Sequence, residues 1–81
     1  MLPKTTRRRS AKTFVICISN DGYSVALERR KIYVALPDPV SEKNGLLRVI
    51  DESGDDYLYP KEFFRPIALP DPVKKAVLAA A

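Results

Sequence analysis

Few side chains in this 81-residue chain are of a type that performs catalysis. The sequence contains no histidine, the side chain most used for proton transfer near neutral pH and the commonest metal ligand. Cys17 is the only cysteine, so an intrachain disulfide and a zinc site built from thiolates and imidazoles are excluded. Its neighbours Ile16 and Ile18 are apolar, which favours a buried structural thiol over a reactive one. We expect no catalytic residue, no metal site and no cofactor, and predict that the protein is not an enzyme.

Four carboxylates cluster between two strand-like runs, at Asp51, Glu52, Asp55 and Asp56. Calcium prefers oxygen ligands, but the spacing does not fit a calcium-binding loop of the helix–loop–helix type. Paired carboxylates also serve in acid–base catalysis, yet nothing in the sequence indicates a pocket that would raise the pKa of one of them. We interpret the cluster as the solvated tip of a β-hairpin that includes Gly54.

Tyrosine and arginine, which are frequent anchors of protein-binding surfaces, recur along the strand-like segments. We predict a partner-binding surface formed by three exposed tyrosines and one arginine: Tyr33, Tyr57, Tyr59 and Arg48. The alternative is that most of the aromatic side chains fill the core, because a domain of this size has few aromatics to spare. The chain contains no tryptophan, so recognition of proline-rich segments is in doubt.

The basic charge of the chain is concentrated at its start. Residues 1–13 contain five basic and no acidic residues, whereas residues 14–81 contain nine basic and ten acidic residues, giving −1. Residues 1–12 have few apolar side chains and no helical or alternating period, so we predict a disordered tail. Arg7, Arg8 and Arg9 are candidate phosphate-binding residues, and weak, sequence-indifferent nucleic-acid binding is the alternative function. The competing interpretation is a terminus with no binding role.

The rest of the chain, residues 13–81, reads as one mostly β domain. A run that is apolar on both faces, Phe14–Ile18, predicts a strand covered on both sides. In the next strand we expect Ile32, Val34 and Leu36 to face the core and Tyr33 to face a rim or solvent. Further strands are predicted at Leu46–Ile50, Tyr57–Tyr59 and Phe64–Leu69, with residues 24–27 as a short extended piece and a helical turn at 60–63.

Two short helices are predicted from an exact hexapeptide repeat, Ala-Leu-Pro-Asp-Pro-Val, at residues 35–40 and 68–73. Asp38 and Asp71 are suited to cap a helix, and the proline after each is suited to its first turn. Asn44-Gly45 ends the first helix. In the second helix a narrow apolar stripe is expected to pack on the barrel surface, formed by Val73, Ala76, Val77 and Ala80.

Length and composition limit the setting of this domain. No apolar run approaches the roughly 20 residues that a membrane-spanning helix needs. A small domain stabilised without disulfides suits a reducing compartment. We therefore expect a cytoplasmic monomer with no membrane segment and an unidentified protein partner.

The chain from about Phe14 to Leu78 resembles a family of small bacterial proteins without an established activity. The residues that carry the resemblance are Arg48–Gly54 (RVIDESG) and Asp56–Pro60 (DYLYP), with a looser match around Asn20–Tyr23. The resemblance and the element order together imply a small Src-homology-3-like (SH3-like) β-barrel of about five short strands. They imply a short helical turn after the second strand and a C-terminal helix. The function that we expect for such a domain is that of a protein-binding or adaptor module.

Overall fold

The computed structural model describes residues 12–80, so the predicted tail and Arg7, Arg8 and Arg9 lie outside the described residues. Its strands are β1 (Thr13–Cys17), β2 (Ile32–Leu36), β3 (Leu46–Ile50), β4 (Asp56–Pro60) and β5 (Phe64–Ile67). Helix α1 (Pro39–Lys43) follows β2, a 3₁₀ turn (Lys61–Phe63) joins β4 to β5, and helix α2 (Asp71–Ala80) comes last. The predicted strand content, the helix after the second strand and the C-terminal helix are confirmed.

The five strands form one antiparallel sheet in the order β4-β3-β2-β1-β5. The predicted closed barrel is not seen, because no ladder joins β4 to β5 among residues 12–80. Side chains of the two edge strands do come close, with the rings of Tyr59 and Phe64 6.4 Å apart at an angle of 65°. The 3₁₀ turn between β4 and β5 redirects the chain, so that β5 pairs with β1 and does not form a hairpin with β4.

The core lies on one face of this curved sheet and mixes aliphatic with aromatic side chains. Its buried members are Val15, Cys17, Leu27, Tyr33, Ala35, Val49, Tyr59, Phe63 and Phe64. The prediction for β2 is therefore wrong, since Tyr33 and Ala35 face this core. Val34 is buried as well, on the opposite face, where it pairs with the buried Phe14. Because both faces of β2 are covered, the alternation of residue types along the strand does not show which face meets the core.

A loop of residues 18–31 crosses the end of the sheet between β1 and β2. Residues 24–27, predicted as extended, form a turn in which the amides of Ala26 and Leu27 donate to the Tyr23 carbonyl at 3.0 and 2.9 Å. Leu27 is fully buried and anchors the loop in the core. The loop begins with a tighter turn, in which Gly22 adopts a φ of 84° that other residues rarely tolerate.

The two helices differ in how closely they pack. Asp38 caps α1 as predicted, accepting a hydrogen bond of 3.2 Å from the Ser41 amide. Helix α2 begins at Asp71 itself, so that residue is not the cap, and the carbonyl of Pro70 accepts from Val73 and Lys74 instead. No residue of α2 is buried, and Val73 is exposed. The expected packing of its apolar stripe is wrong for Val73, and only Lys74 and Val77 are half-buried.

Candidate functional site

An aromatic cluster lies where the loop of residues 18–31 meets β4 and the 3₁₀ turn. The buried members of this cluster are Tyr59, Phe63 and Phe64. Tyr23 covers them, with its ring 5.0 Å from that of Tyr59 and 6.0 Å from that of Phe63, both edge to face. Tyr23 is 44% exposed and Tyr57 is 55% exposed. We call the two exposed side chains, Tyr23 and Tyr57, the aromatic surface.

Both members of the aromatic surface are held in place by their backbone. The Tyr23 amide donates to the Asn20 carbonyl at 2.8 Å, and the Asn20 side chain donates to the Leu27 carbonyl at 2.9 Å. Tyr57 stands near the start of β4, directly opposite the fully buried Val49. The two tyrosines are therefore presented by an anchored loop and by a strand, a rigid support of the kind that protein-binding surfaces use.

Of the four predicted partner-binding residues, only Tyr57 is exposed, and Arg48 is half-buried. Tyr33 and Tyr59 are 5% and 3% exposed, so the expected exposure of these two side chains is wrong. Each ring fills the core while its hydroxyl reaches a carboxylate of the hairpin between β3 and β4. Tyrosine tolerates such burial because its single polar atom has a partner.

The Tyr59 hydroxyl donates to Asp51, the one buried carboxylate among the described residues. Asp51 also accepts from the amide of Ser53 at 2.9 Å and from its hydroxyl at 2.5 Å. Burial raises the pKa of Asp51, but these hydrogen bonds outweigh it and hold the pKa below its usual value. Burial, together with the neighbouring Asp51 charge, raises the pKa of Tyr59. Asp51 therefore holds the hairpin to the aromatic cluster as a carboxylate.

Tyr33 makes a second connection between the hairpin and the loop. Its hydroxyl donates to Glu52 at 2.5 Å and accepts from the Glu28 amide at 2.8 Å. Lys31 forms an ion pair of 2.6 Å with the same Glu52 carboxylate, and the Lys31 hydrogen bond is the main cause that lowers the Glu52 pKa. The Glu52 amide donates to the Ala26 carbonyl at 3.0 Å. The acidic hairpin tip is thus partly engaged with the loop, where we had expected a solvated turn.

Arg48 connects α1 to β4 on the opposite face of the sheet. Its guanidinium contacts Asp38 at 2.9 Å and Asp56 at 3.0 Å. Hydrogen bonds from Arg48 to Asp56, and then to Asp38, raise the pKa of the guanidinium. Arg48 and Tyr57 lie on adjacent strands but on opposite faces, because the residues opposite them are Leu58 and Val49. The structure therefore does not join Arg48 and Tyr57 in one surface.

Tyr23 is the residue that the predicted site left out. The turn sequence Asn20-Asp21-Gly22 directly before it indicates a loop, where an aromatic side chain has less chance of burial. Cys17, by contrast, is fully buried as expected, and burial raises the pKa of its thiol, which donates to the Ser19 carbonyl at 3.2 Å.

Residues 12–80 lack the features of two other kinds of site. No group of three or more His, Cys, Asp or Glu side chains in this part of the chain is arranged to hold a metal ion. No helix within it is long and apolar enough to cross a bilayer.

Comparisons of the chain with protein-family models, with curated proteins and with solved structures find no match.

Proposed function

We propose that this domain is a non-enzymatic protein-binding module that contacts its partner through the aromatic surface. The observation that carries the proposal is the exposure of Tyr23 and Tyr57 beside the buried Tyr59. Tyr59, Phe63 and Phe64 are buried, whereas the side chains of Tyr23 and Tyr57 remain in contact with water. Tyrosine has few rotatable bonds to immobilise on binding, which makes it an efficient anchor.

The charged side chains support a binding role over catalysis. Asp51 accepts three hydrogen bonds from Ser53 and Tyr59, and Glu52 and Arg48 each bind two other side chains. Groups held in this way stabilise the fold and are not poised to transfer protons. A shallow open groove of about 540 Å³ lies between the start of β3 and the 3₁₀ turn, and Asp51, Glu52 and Arg48 do not line it.

The proposal extends to the finer description of the fold. The strand order β5-β1-β2-β3-β4, a hairpin between the third and fourth strands, and a 3₁₀ turn before the last strand support an SH3-like arrangement. We also maintain the resemblance to the small bacterial family, carried by Arg48–Gly54 and Asp56–Pro60, as a prediction. Neither statement identifies the partner.

Selection from a library of displayed random peptides tests the proposal. We expect the protein to enrich a peptide class that loses at least about tenfold in affinity when Tyr23→Ala or Tyr57→Ala is introduced. Val25→Ala is the matched control, because Val25 is 94% exposed in the same loop and should leave binding unchanged. Failure to enrich any peptides, or equal losses in all three variants, would contradict the proposed surface.

A further inference from the structure

The sheet has two edges, and the sequence protects them unequally. Edge strand β5 contains Arg65 and Pro66. A charged side chain and a residue without an N–H group both discourage pairing with another strand. Edge strand β4 has no proline before its last residue and no lysine. Its exposed side chains include Tyr57 and Leu58, the latter 37% exposed. The unprotected edge is β4.

The hydrogen-bond pattern shows which backbone groups of β4 point outward. The Lys61 amide donates to Gly45 at 2.9 Å and the Asp51 amide donates to Asp55 at 3.1 Å, so both pairs belong to the ladder between β3 and β4. Ladder pairs alternate in an antiparallel sheet, so Tyr57 and Tyr59 also bond inward. Asp56, Leu58 and Pro60 then direct their backbone groups to the open edge. Pro60 has no N–H group, but no hydrogen bond to β3 is lost, because the backbone of this residue faces the open edge.

We propose that a second copy of this chain pairs with this edge, β4 against β4, about a two-fold axis perpendicular to the sheet at Leu58. In this register the two Leu58 residues exchange both backbone hydrogen bonds. The amide of each Asp56 donates to the carbonyl of the partner's Pro60, which makes four backbone bonds in all. All five residues of β4 are paired, and two five-stranded sheets become one.

Charge complementarity selects this occupant and this register. The axis at Leu58 places Asp55 of each copy opposite the partner's Lys61, on the same face of the joined sheet. Both side chains are exposed, and neither has an ion pair among the described residues. An axis one residue later, at Tyr59, would place Asp56 opposite the partner's Glu62, two like charges. The edge is thus complementary to itself in one alignment.

This self-association departs from the monomer expected from the sequence, and it is additional to the proposed binding of a partner, although Tyr57 borders both surfaces. The test therefore leaves Tyr57 and Tyr23 unchanged. Asp55 and Lys61 are suited to substitution because their side chains make no hydrogen bond or ion pair within residues 12–80, so folding should persist. Circular dichroism and thermal unfolding verify that each variant is folded.

Sedimentation equilibrium of the full chain, from micromolar to millimolar concentration, measures the association. We expect the wild type to form dimers, and Asp55→Lys or Lys61→Asp to weaken the dimer at least about tenfold, because each variant creates two like-charge contacts. The double variant Asp55→Lys/Lys61→Asp should restore dimerisation. Lys75→Asp, on the exposed face of α2, is the charge-matched control and should have no effect.

Hydrogen exchange gives a second readout that is specific to the edge. Within a single copy the Leu58 amide has no ladder partner, so its exchange should slow as protein concentration rises. A monomeric mass at every concentration would overturn the proposal. A dimer that is insensitive to the single reversals, is not rescued by the double variant, or leaves Leu58 exchange unchanged would also overturn it, since it would use another surface.

Discussion

At the scale of single residues, Asp51 is the side chain on which the candidate site most depends. Its carboxylate accepts hydrogen bonds from Tyr59 and twice from Ser53. Asp51→Asn removes the negative charge, so the charge-assisted bonds from Ser53 become weaker neutral ones, and the Tyr59 hydroxyl can no longer donate to the oxygen that the amide nitrogen replaces. We expect about 1–3 kcal/mol of destabilisation in urea unfolding. Asp55→Asn, in the same hairpin but exposed, should change stability by less than about 0.5 kcal/mol. Equal effects would contradict this role of Asp51.

The same carboxylate predicts a pH dependence. The pKa of Asp51 is lowered in the folded protein, and the pKa values of Asp38 and Glu52 are lowered as well. A lowered carboxyl pKa contributes stability that is complete above the unfolded value of about 4 and is lost as pH falls through the folded value. The urea midpoint should therefore fall on acidification below about pH 4, and less steeply in Asp51→Asn than in the wild type.

At the scale of elements, the hairpin and the loop of residues 18–31 are joined by the Tyr33 hydroxyl. Tyr33→Phe keeps the ring but removes the bonds to Glu52 and to the Glu28 amide. We expect a loss of about 1–2 kcal/mol and faster hydrogen exchange at Glu28. Tyr57→Phe is the control, because that hydroxyl makes no hydrogen bond within the described residues. Unchanged exchange at Glu28 in Tyr33→Phe would show that the loop is held by other contacts.

The elements themselves could be predicted from local patterns, but their contacts could not. Apolar β-branched runs predicted β1 and β3, and Asp38 before Pro39 predicted the start of α1, because these signals act within a few residues. The inner face of β2 was missed because Tyr33 and Val34 are both buried.

The burial of Tyr33 and Tyr59 depends on carboxylates 19 and eight positions away in the chain. A single sequence does not reveal such pairs, and the acidic cluster therefore resembled an ordinary solvated turn. Tyr57 and Tyr59 lie two residues apart on one face of the same strand, so the sequence pattern could not show that only Tyr57 is exposed.

At the scale of the whole molecule, charge separates the chain into two parts with different possible partners. The near-neutral domain offers the aromatic surface and the open edge of β4, both suited to protein contacts. The five basic residues of the first 13 remain the basis for the alternative prediction of nucleic-acid binding, with Arg7, Arg8 and Arg9 as its centre. A net charge of −1 over residues 14–81 gives no continuous basic face to extend such a contact.

From this distribution of charge we predict that the chain binds oligonucleotides weakly, in a salt-dependent manner, through the tail and not through the domain. Titration with single-stranded and duplex oligonucleotides at about 50 mM salt should detect it, since phosphate contacts are strongest there. Replacing Arg7, Arg8 and Arg9 with alanine should lower the slope of log affinity against log salt by about 2 for a single strand. Replacing Arg29, Lys43 and Lys75 with alanine removes the same charge from exposed positions in the domain and should change the slope less. Equal effects of the two triple variants would mean that net charge matters and the tail does not, and undetectable binding at low salt would eliminate the nucleic-acid alternative.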